Sequence, residues 1–419
     1  MVTKKNWWQM LGPGLVTGAS DNDPSGISTY SQAGAHFGFG LLWTMLFSYP
    51  LMSSIQDISA RIGRVTGHGI AGNLRRYYPQ WVTYGITGLM VIANTLNLGA
   101  DIGAMGAALK LLIGGSALLY ASVFAITSLV LEITVPYHKY SSILKWLTLT
   151  LFTYVATILV VHVPWGEAFK ATVIPSFSFK SDYLTTLVAI LGTTISPYLF
   201  FWQASQEVEE IEKTPEEKPL KQAPEQAQVQ LERLKIDTYT GMGFSNAIAF
   251  FIILTAAVTL HTQGKTDIQT ASDAAEALRP VAGNLAFFLF SAGIVGTGLL
   301  AVPVLAGSAA YGVGEAMKWR TGLERKPSEA KGFYTILAIS TLIGLAMNFT
   351  PIDPIKALFW SAVINGVVAP PVMLVMMLMS TNAKIMGKFT ISKRLRFGGW
   401  LATAVMFVAA TGLFFTWKS

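Results

Sequence analysis

A polar interruption lies in the middle of an apolar stretch near the start of the chain. Residues 11–39 are mostly apolar, and roughly 20 such residues cross a membrane as a helix. Within them stands Ser20-Asp21-Asn22-Asp23-Pro24-Ser25-Gly26. Pro24 removes a backbone donor and disfavours helix at Asp23, and acids at that depth must face protein or water. The sequence therefore predicts a discontinuous helix whose gap presents Asp23 and free backbone carbonyls to a cation.

The composition is typical of a polytopic membrane protein. The chain is 52% hydrophobic and only 13% charged, whereas a soluble domain carries about 25% charged residues. Cysteine is absent, which excludes disulfides and thiolate metal sites. The first residues show no cleavage signature of a signal peptide. We expect an all-α membrane protein that forms one transmembrane domain over residues 1–419.

Apolar segment lengths predict eleven transmembrane helices. Residues 1–10 would form a cytoplasmic N-terminus and residues 206–237 a polar cytoplasmic loop with a short amphipathic helix. Spans one to six would occupy residues 11–205, and spans seven to eleven residues 238–416. The expected spans are 11–37, 41–62, 83–106, 111–133, 141–163, 183–205, 238–260, 283–315, 333–349, 354–380 and 396–416.

The placement of the basic residues predicts the orientation. With the N-terminus in the cytoplasm, 23 of the 30 lysines and arginines fall in or beside cytoplasmic loops. The positive-inside rule then supports a multi-pass protein of the inner or plasma membrane with its C-terminus outside. The net charge of +7 is thus a topology signal and not a sign of nucleic-acid binding. The expected surroundings are lipid bilayer, and we expect no obligate protein partner.

A second break is predicted in span six, at Gly192-Thr193-Thr194-Ile195-Ser196-Pro197-Tyr198. Pro24 and Pro197 occupy the same place in spans one and six, which suggests two inverted repeats of five spans. A pair of interrupted helices at matching places indicates a transport site at the membrane midplane. Free carbonyls at the ends of the first half-helices, near Ser20 and Thr193, would add to Asp23 in binding a cation. The simpler alternative is two ordinary proline kinks.

The sequence resembles the Nramp family of divalent-metal transporters. Asp23-Pro24-Ser25-Gly26 is similar to the family's Asp-Pro-Gly-Asn, and the second break stands where the family has Met-Pro-His. Ser59-Ala60-Arg61-Ile62-Gly63-Arg64-Val65-Thr66-Gly67 is similar to Ser-Ala-Arg-Leu-Gly-x-Val-Thr-Gly. The resemblance implies a leucine-transporter-like 5+5 inverted repeat with broken helices one and six plus one extra helix. It also implies alternating access and no cofactor, since the metal is the transported substrate.

The departures from the family pattern fall on its functional positions. The metal-binding Asn of the family falls on Gly26 here, and its metal-binding Met falls on Ser196. Its two span-six histidines fall on Tyr198 and Gln203. These departures resemble the Nramp-related magnesium transporters, a branch that lacks the usual Met and Asn.

The family's proton route is also altered. Its span-three Asp and Glu, three residues apart, are best matched by Leu98 and Asp101. Span nine, residues 333–348, has no arginine, although the family uses arginines there.

Oxygen atoms are the only ligands left to the expected site. A thioether favours transition metals, whereas hard oxygen ligands suit Mg²⁺ and Mn²⁺. Gly26 in place of the family's Asn and Ser196 in place of its Met should enlarge the site and leave room for the waters that Mg²⁺ retains. The expected metal site comprises Asp23, Ser196, Thr193, Gly26, Ser20 and Asn365. The expected pathway comprises Asp21, Asn22, Asp101, Tyr198, Gln203 and Glu207.

Several of these residues have a second interpretation. Asp21 either lines the hydrated path or faces water at a helix end, and Asp101 either steers cations or pairs within the bundle. Asn365 either completes the site or forms a hydrogen bond across helices. Glu207 either lines a cytoplasmic exit or belongs to a solvated face, which is the favoured reading. Asp57 is expected to pair with a neighbouring arginine.

Histidines are absent from the span centres, which argues against a proton relay. His36, His68, His138, His162 and His261 all fall near boundaries or in loops and are expected to be structural or solvated. We therefore expect import of Mg²⁺, with Mn²⁺ second, without strict proton coupling. The alternatives are a proton-coupled Mn²⁺ or transition-metal symporter and an organic-solute carrier of the same fold. A membrane enzyme is disfavoured, because no nucleophile–base pair, HExxH motif or phosphate loop is found.

Overall fold

The structure is a computed structural model that describes residues 12–135 and 146–416, and within these ranges every regular element is a helix. Short helical turns, which are left without labels, join the longer helices at Gly38–Leu41, Leu147–Leu151, Pro224–Gln226, His261–Gln263, Ala271–Ala275, Glu276–Leu278, Arg279–Ala282, Gly283–Leu285, Ala383–Met386 and Gly387–Phe389. The longer helices are α1 (Pro13–Asp21), α2 (Pro24–Phe37), α3 (Trp43–Thr66), α4 (Ile70–Tyr77), α5 (Gln80–Ile113), α6 (Ala117–Thr134), α7 (Phe152–Val160), α8 (Trp165–Val173), α9 (Ser181–Thr194), α10 (Pro197–Lys213), α11 (Ala227–Thr259), α12 (Ala286–Ala316), α13 (Lys331–Met347), α14 (Pro354–Thr381) and α15 (Lys393–Thr416).

Helices occupy each predicted span wherever the chain is described. The fifth span is described only from residue 146 onward, where it contains α7. The number of eleven crossings stays a prediction. The helical segments in the described ranges that are long and apolar enough to cross a membrane are Gln80–Ile113, Ala117–Thr134, Ser181–Lys213, Pro224–Gln263, Ala286–Ala316, Pro354–Thr381 and Lys393–Thr416.

Both predicted breaks are present, and their geometry matches. α1 ends at Asp21, and Asp23 stands in extended conformation (φ −67°, ψ 173°) directly before Pro24 opens α2. α9 ends at Thr194, and Ser196 stands in extended conformation (φ −81°, ψ 132°) directly before Pro197 opens α10. Proline is favoured at the first position of a helix and forces extended conformation on its predecessor. A proline therefore produces the same geometry at both breaks, with two non-helical residues between the end of one half-helix and the start of the next.

Glycines let the broken helices lie directly against the unbroken ones. A Cβ on Gly18 of α1 would stand 2.2 Å from the carbonyl oxygen of Gly241 in α11, so no larger residue fits this crossing. A Cβ on Gly192 of α9 would likewise lie 2.4 Å from the backbone nitrogen of Gly366 in α14. Small residues at such crossings bring backbones together, which supplies much of the packing energy between helices in a membrane.

The connection predicted at residues 206–237 is shorter and more helical in the structure than expected. α10 continues to Lys213 and α11 begins at Ala227, so only residues 214–226 connect them. The expected amphipathic helix is the first part of the long α11. The sequence is misleading here because the acids and bases of these helix ends pair with one another inside the protein, as described below.

Candidate metal site

Asp23 lies at the centre of the site and is only 1% exposed. Its Oδ1 accepts hydrogen bonds from Ser25 Oγ (2.6 Å) and from the Gly26 backbone N–H (2.7 Å), so it caps α2. Its Oδ2 accepts from Asn97 Nδ2 (2.9 Å) and from the Tyr198 hydroxyl (3.3 Å). An ionised carboxylate accepts only, and donors around it favour that form. Asp23 therefore faces neither lipid nor a basic side chain, and its four donors suit a negative charge.

Tyr198 joins the two breaks. Its hydroxyl oxygen lies 3.3 Å from Asp23 Oδ2 and 3.4 Å from the backbone carbonyl oxygen of Ser20, in the last turn of α1. The tyrosine stands in the first turn of α10, so a side chain from the second break contacts both sides of the first. The structure thus brings Asp23, Ser20 and Tyr198 together as the sequence predicts.

The gap between the breaks is narrow. Ser196 Oγ donates to the carbonyl oxygens of Gly192 (2.6 Å) and Thr193 (2.9 Å), at the end of its own half-helix. A Cβ on Gly26 would lie 3.1 Å from Thr193 Oγ1 and 3.2 Å from the Asp21 carbonyl oxygen. Part of the space that glycine leaves at residue 26 is used for close approach of these oxygens, and the enlargement of the site for bound water stays a prediction.

Asp21 and Asn22 turn away from Asp23 toward α11. The Ser245 hydroxyl donates to Asp21 Oδ2, and Asn22 Nδ2 donates to Ser245 Oγ (3.1 Å) and to its carbonyl oxygen (3.3 Å). Both side chains are buried, so the interpretation of Asp21 as a water-facing helix end is wrong. The backbone carbonyl of Asp21 is the part of this residue that approaches Gly26.

Two further polar side chains are buried near the breaks. Asp101 of α5 is fully buried, and no side chain among the described residues donates a hydrogen bond to its carboxylate. It lies near Asp23 and near the Ser25 backbone N–H in the first turn of α2. Asn365 of α14 is 1% exposed, and both of its amide atoms lack a partner among the residues described. Asp101 thus has no basic partner among the described residues, and its nearest donor is the Ser25 backbone N–H. Asn365 forms none of the expected cross-helix hydrogen bonds within the described ranges.

One end of the broken helices is closed by charged pairs. These pairs correct the sequence-based interpretation of Glu207. Arg233 Nη2 donates to Glu207 Oε2 over 2.5 Å, and Glu207 is fully buried. Arg64 lies 4.0 Å from the same oxygen and pairs with Glu217. We call Arg64, Glu207, Glu217 and Arg233 the charge lock. Glu207 is therefore neither a solvated residue nor a free group in an exit, because its charge is matched inside the protein.

The start of α1 is tied to the same end. Asp237 of α11 accepts hydrogen bonds from the backbone N–H groups of Gly12 (2.8 Å), Gly14 (2.7 Å) and Leu15 (3.0 Å). Carboxylates stabilise such free N–H groups at a helix N-terminus. One turn further along α1, Thr17 Oγ1 donates to Gln203 Oε1 of α10. Gln203 thus closes the gap at this end, between Asp23 and the charge lock.

The opposite end holds a cavity of about 650 Å³, which we call the vestibule. Its lining comes from α2, α9, α14 and the segment before residue 270, and includes Ser28 and Thr186. Ser28 follows Asp23 by five residues, which is about 7.5 Å of helix. At the rim, His36 Nε2 lies 3.4 Å from Asp182. The vestibule approaches the Asp23 site from one side, while the charge lock closes the other.

Apart from His36 at the rim of the vestibule, the histidines in the described ranges lie away from the Asp23 site. His261 Nδ1 contacts the Ala35 carbonyl oxygen at 2.8 Å, and His36 is half-exposed. Burial and the nearby positive charges of Arg76, Arg75 and Lys221 lower the pKa of His68 to about 4. His138 lies outside the described residues. The expected pairing of Asp57 is confirmed, since Arg61 Nε lies 2.7 Å from its Oδ1.

Sequence reasoning missed Asn97. It stands next to Leu98, which the family pattern selected, but Leu98 packs against Gly344 of α13 while Asn97 contacts Asp23. Adjacent residues of a helix point about 100° apart, so a one-residue shift selects another face. The available signal was the amide itself, since a polar side chain in an apolar span needs a partner.

Carboxylates, histidines and cysteines do not cluster in threes at any point of the described chain in a way that could hold a metal ion. Any metal at this site would therefore combine at most two such side chains with neutral oxygen atoms. Asp23, the Ser20 and Asp21 carbonyls, Thr193 and Ser196 supply such atoms.

The fold is shared with known transporters. The structure matches a manganese transporter of Eremococcus coleocola with a TM-score of 0.78 at 16% identity, covering 96% of this chain and 86% of that one. It also matches MhsT in complex with L-phenylalanine (TM-score 0.59, 14% identity, 95% and 98% covered). A third match is Mhp1, a nucleobase-cation-symport-1 family transporter (TM-score 0.57, 13% identity, 97% and 93% covered). These likenesses establish the leucine-transporter-like fold.

The family model described as natural resistance-associated macrophage protein-like matches residues 14–416, nearly the whole chain. Such proteins are multi-pass membrane transporters and not enzymes, and they need no cofactor, because the metal is the substrate. The chain accordingly belongs to the Nramp family and is a divalent-metal transporter.

Proposed function

We propose that this chain imports Mg²⁺, and Mn²⁺ as a second substrate, by alternating access through the Asp23 site without strict proton coupling. The observation that carries the proposal is the surroundings of Asp23. One buried carboxylate lies between two broken helices, and its partners are amides and hydroxyls. No thioether stands at the position of the family's methionine, which is Ser196 here.

The available ligands favour a hard cation. Carboxylate, carbonyl and hydroxyl oxygens suit Mg²⁺ and Mn²⁺, whereas thioethers select softer metals. Mg²⁺ is usually held by one or two carboxylates and keeps several of its waters. A single carboxylate with partial hydration predicts weak affinity and modest discrimination between the two ions.

The arrangement of closed and open ends supports alternating access. In this conformation the charge lock closes one end, and the vestibule lies at the other. We assign the vestibule to the outside and the charge lock to the cytoplasm, in agreement with the basic residues near the lock. Import would then require the charge lock and the Asp237 contacts to α1 to separate. An inside-negative potential assists a dication by about 2.3 kcal/mol per charge per 100 mV.

The proton-coupled alternative rests on Asp101, a buried carboxylate near Asp23 with no basic partner among the described residues. Such a group could carry a proton. Span nine offers it neither an arginine nor a histidine at residues 333–348. The two functions differ in proton movement, which can be measured directly.

The organic-solute alternative is disfavoured by the same carboxylate. MhsT was solved with L-phenylalanine, and carriers of this fold bind a substrate carboxylate at a half-helix N-terminus. Here Asp23 itself occupies that position, because it accepts the Gly26 backbone N–H. A substrate carboxylate would face a negative charge at the position it needs.

Uptake into proteoliposomes that contain a pH-sensitive dye tests the proposal. We expect Mg²⁺ and Mn²⁺ each to enter and to compete with one another, with no acidification of the lumen. Uptake of Mn²⁺ alone, with stoichiometric acidification, would favour the proton-coupled symporter. Failure of either metal to enter would contradict the proposal.

A further inference from the structure

Asn97 links Asp23 to α14 through a chain of hydrogen bonds. Its Nδ2 donates to Asp23 Oδ2 over 2.9 Å, and its Oδ1 accepts from Ser361 Oγ at 2.6 Å. Ser361 Oγ also lies 2.7 Å from the Leu358 carbonyl oxygen. The side chains of Asp23, Asn97 and Ser361 are all buried.

The Ser361 hydroxyl only donates in this arrangement. It has a single hydrogen, which it shares between Asn97 Oδ1 and the Leu358 carbonyl. Turning the Asn97 amide by 180° would let Ser361 accept one hydrogen bond and donate another. Ser361 would then accept from Nδ2 and donate to Leu358.

The charge on Asp23 prevents that turn while the site is empty. The turned amide would place its Oδ1 against Asp23 Oδ2 at the present 2.9 Å, and two acceptors repel at this distance. A dication between them reverses the preference, because it attracts both oxygens. Adjacent ligands of an octahedral Mg²⁺ at 2.0–2.1 Å are about 3.0 Å apart. The observed separation is thus close to the spacing of two adjacent metal ligands.

We propose that Asn97 is a direct metal ligand in the loaded site, through Oδ1, and that its amide turns when a dication binds Asp23. Ser361 is a positioning residue that completes its hydrogen bonds only in the loaded orientation. The inference rests on the proposed function and adds a ligand from α5 and a link to α14. Metal binding at Asp23 would thereby change the hydrogen bonding of α14, a helix outside the two breaks.

Metal affinity of the purified full chain tests this inference by calorimetric titration with Mn²⁺ and Mg²⁺ at one fixed pH. The pH is fixed because a proton on Asp23 would turn the amide in the same way. We expect Asn97→Leu to weaken Mn²⁺ binding by about tenfold or more, and Ser361→Ala to weaken it several-fold. Asn94→Leu is the matched control, since Asn94 is a buried amide one turn earlier that contacts the Leu305 carbonyl instead. It should bind as the unaltered chain does.

A purely structural role for Asn97 predicts the opposite direction. If Asn97 only holds the empty Asp23, then Asn97→Leu and Ser361→Ala should leave affinity unchanged or raise it, and that result would overturn the inference. Should Asn97→Leu fail to fold, Ser361→Ala and an anomalous-scattering map of the Mn²⁺-loaded protein decide. The map should place Mn²⁺ within about 2.5 Å of Asn97 Oδ1, and a more distant metal would overturn the inference. Asp23→Asn separates the two proposals: undiminished binding by that variant would overturn the proposed function together with this inference.

Discussion

Arg233 and Glu207 form a buried ion pair, with Nη2 of the arginine 2.5 Å from Oε2 of the glutamate. Arg233 belongs to α11 and Glu207 to α10. The pair therefore connects the second half of the α9–α10 break to an unbroken neighbouring helix. Arg64 stands 4.0 Å from the same glutamate oxygen and is a weaker second partner. Arg233 is therefore the main partner that compensates the buried charge of Glu207 at the closed end of the pathway.

Removing the arginine should destabilise the protein. Arg233→Ala leaves Glu207 buried and poorly paired, which typically costs about 3 kcal/mol. We expect a lower melting temperature in detergent, and recovery of part of the loss when Glu207→Gln is added. An unchanged melting temperature for the single variant would show that the pair does not stabilise this conformation.

The breaks could be predicted from sequence because their cause is local. Pro24 and Pro197 fix the conformation of the residue before each of them, and no distant contact is needed. The environment of Glu207 could not be predicted, because its partner lies 26 residues away on another helix. A polar composition alone suggested solvent there, whereas the pairing inside the protein keeps the helix continuous.

The choice of cation should respond to Ser196. Ser196→Met adds a thioether at the end of α9, and soft ligands favour transition metals. We expect the ratio of Mg²⁺ to Mn²⁺ uptake in proteoliposomes to fall. Ser196→Leu is the control for size without sulfur, and it should leave the ratio unchanged. Equal shifts in both variants would attribute selectivity to volume and contradict the role of ligand softness.

Adding Gly26→Asn to Ser196→Met rebuilds both positions of the family pattern. A Cβ at residue 26 would lie within 3.3 Å of Thr193, the Asp21 carbonyl and Tyr30, so these neighbours must shift. We expect a further fall in the Mg²⁺ to Mn²⁺ uptake ratio together with a lower melting temperature. A ratio that matches the unaltered chain would contradict our account of selectivity.

Asp101 should not carry protons into the vesicle. The absence of arginine and histidine from residues 333–348 leaves it without the partners that a relay needs. We expect Mn²⁺ influx to leave the lumen pH constant, both in the unaltered chain and in Asp101→Asn. Acidification that disappears in Asp101→Asn would instead identify a proton-coupled symporter.

His68 should make the fold sensitive to acid. Burial and three nearby basic residues lower its pKa from 6.5 to about 4 in the folded chain. The unfolded chain therefore binds more protons between these values, so stability is complete above pH 6.5 and falls as the pH drops toward 4. We expect His68→Gln to lose less melting temperature than the unaltered chain between pH 7 and pH 5. Identical losses would remove His68 as a cause.

Asn97 shows where a family pattern reaches its limit. The pattern located the correct turn of α5, but it selected Leu98, whose side chain faces α13. The residue that contacts Asp23 could be found only once the rotation of the helix was known. Asp21 and Asn22 show the same limit, because the break fixed their position but not their orientation toward Ser245.

The central claim is that an ionised Asp23 between the two breaks binds the transported dication, and Asp23→Asn tests it most directly. Asparagine caps a helix about as well as aspartate, so α2 and the break should persist while the charge is lost. Mn²⁺ uptake into proteoliposomes, measured beside the melting temperature of the same preparation, should fall to the rate of protein-free vesicles with little change in melting temperature. Uptake at the rate of the unaltered chain would contradict the account.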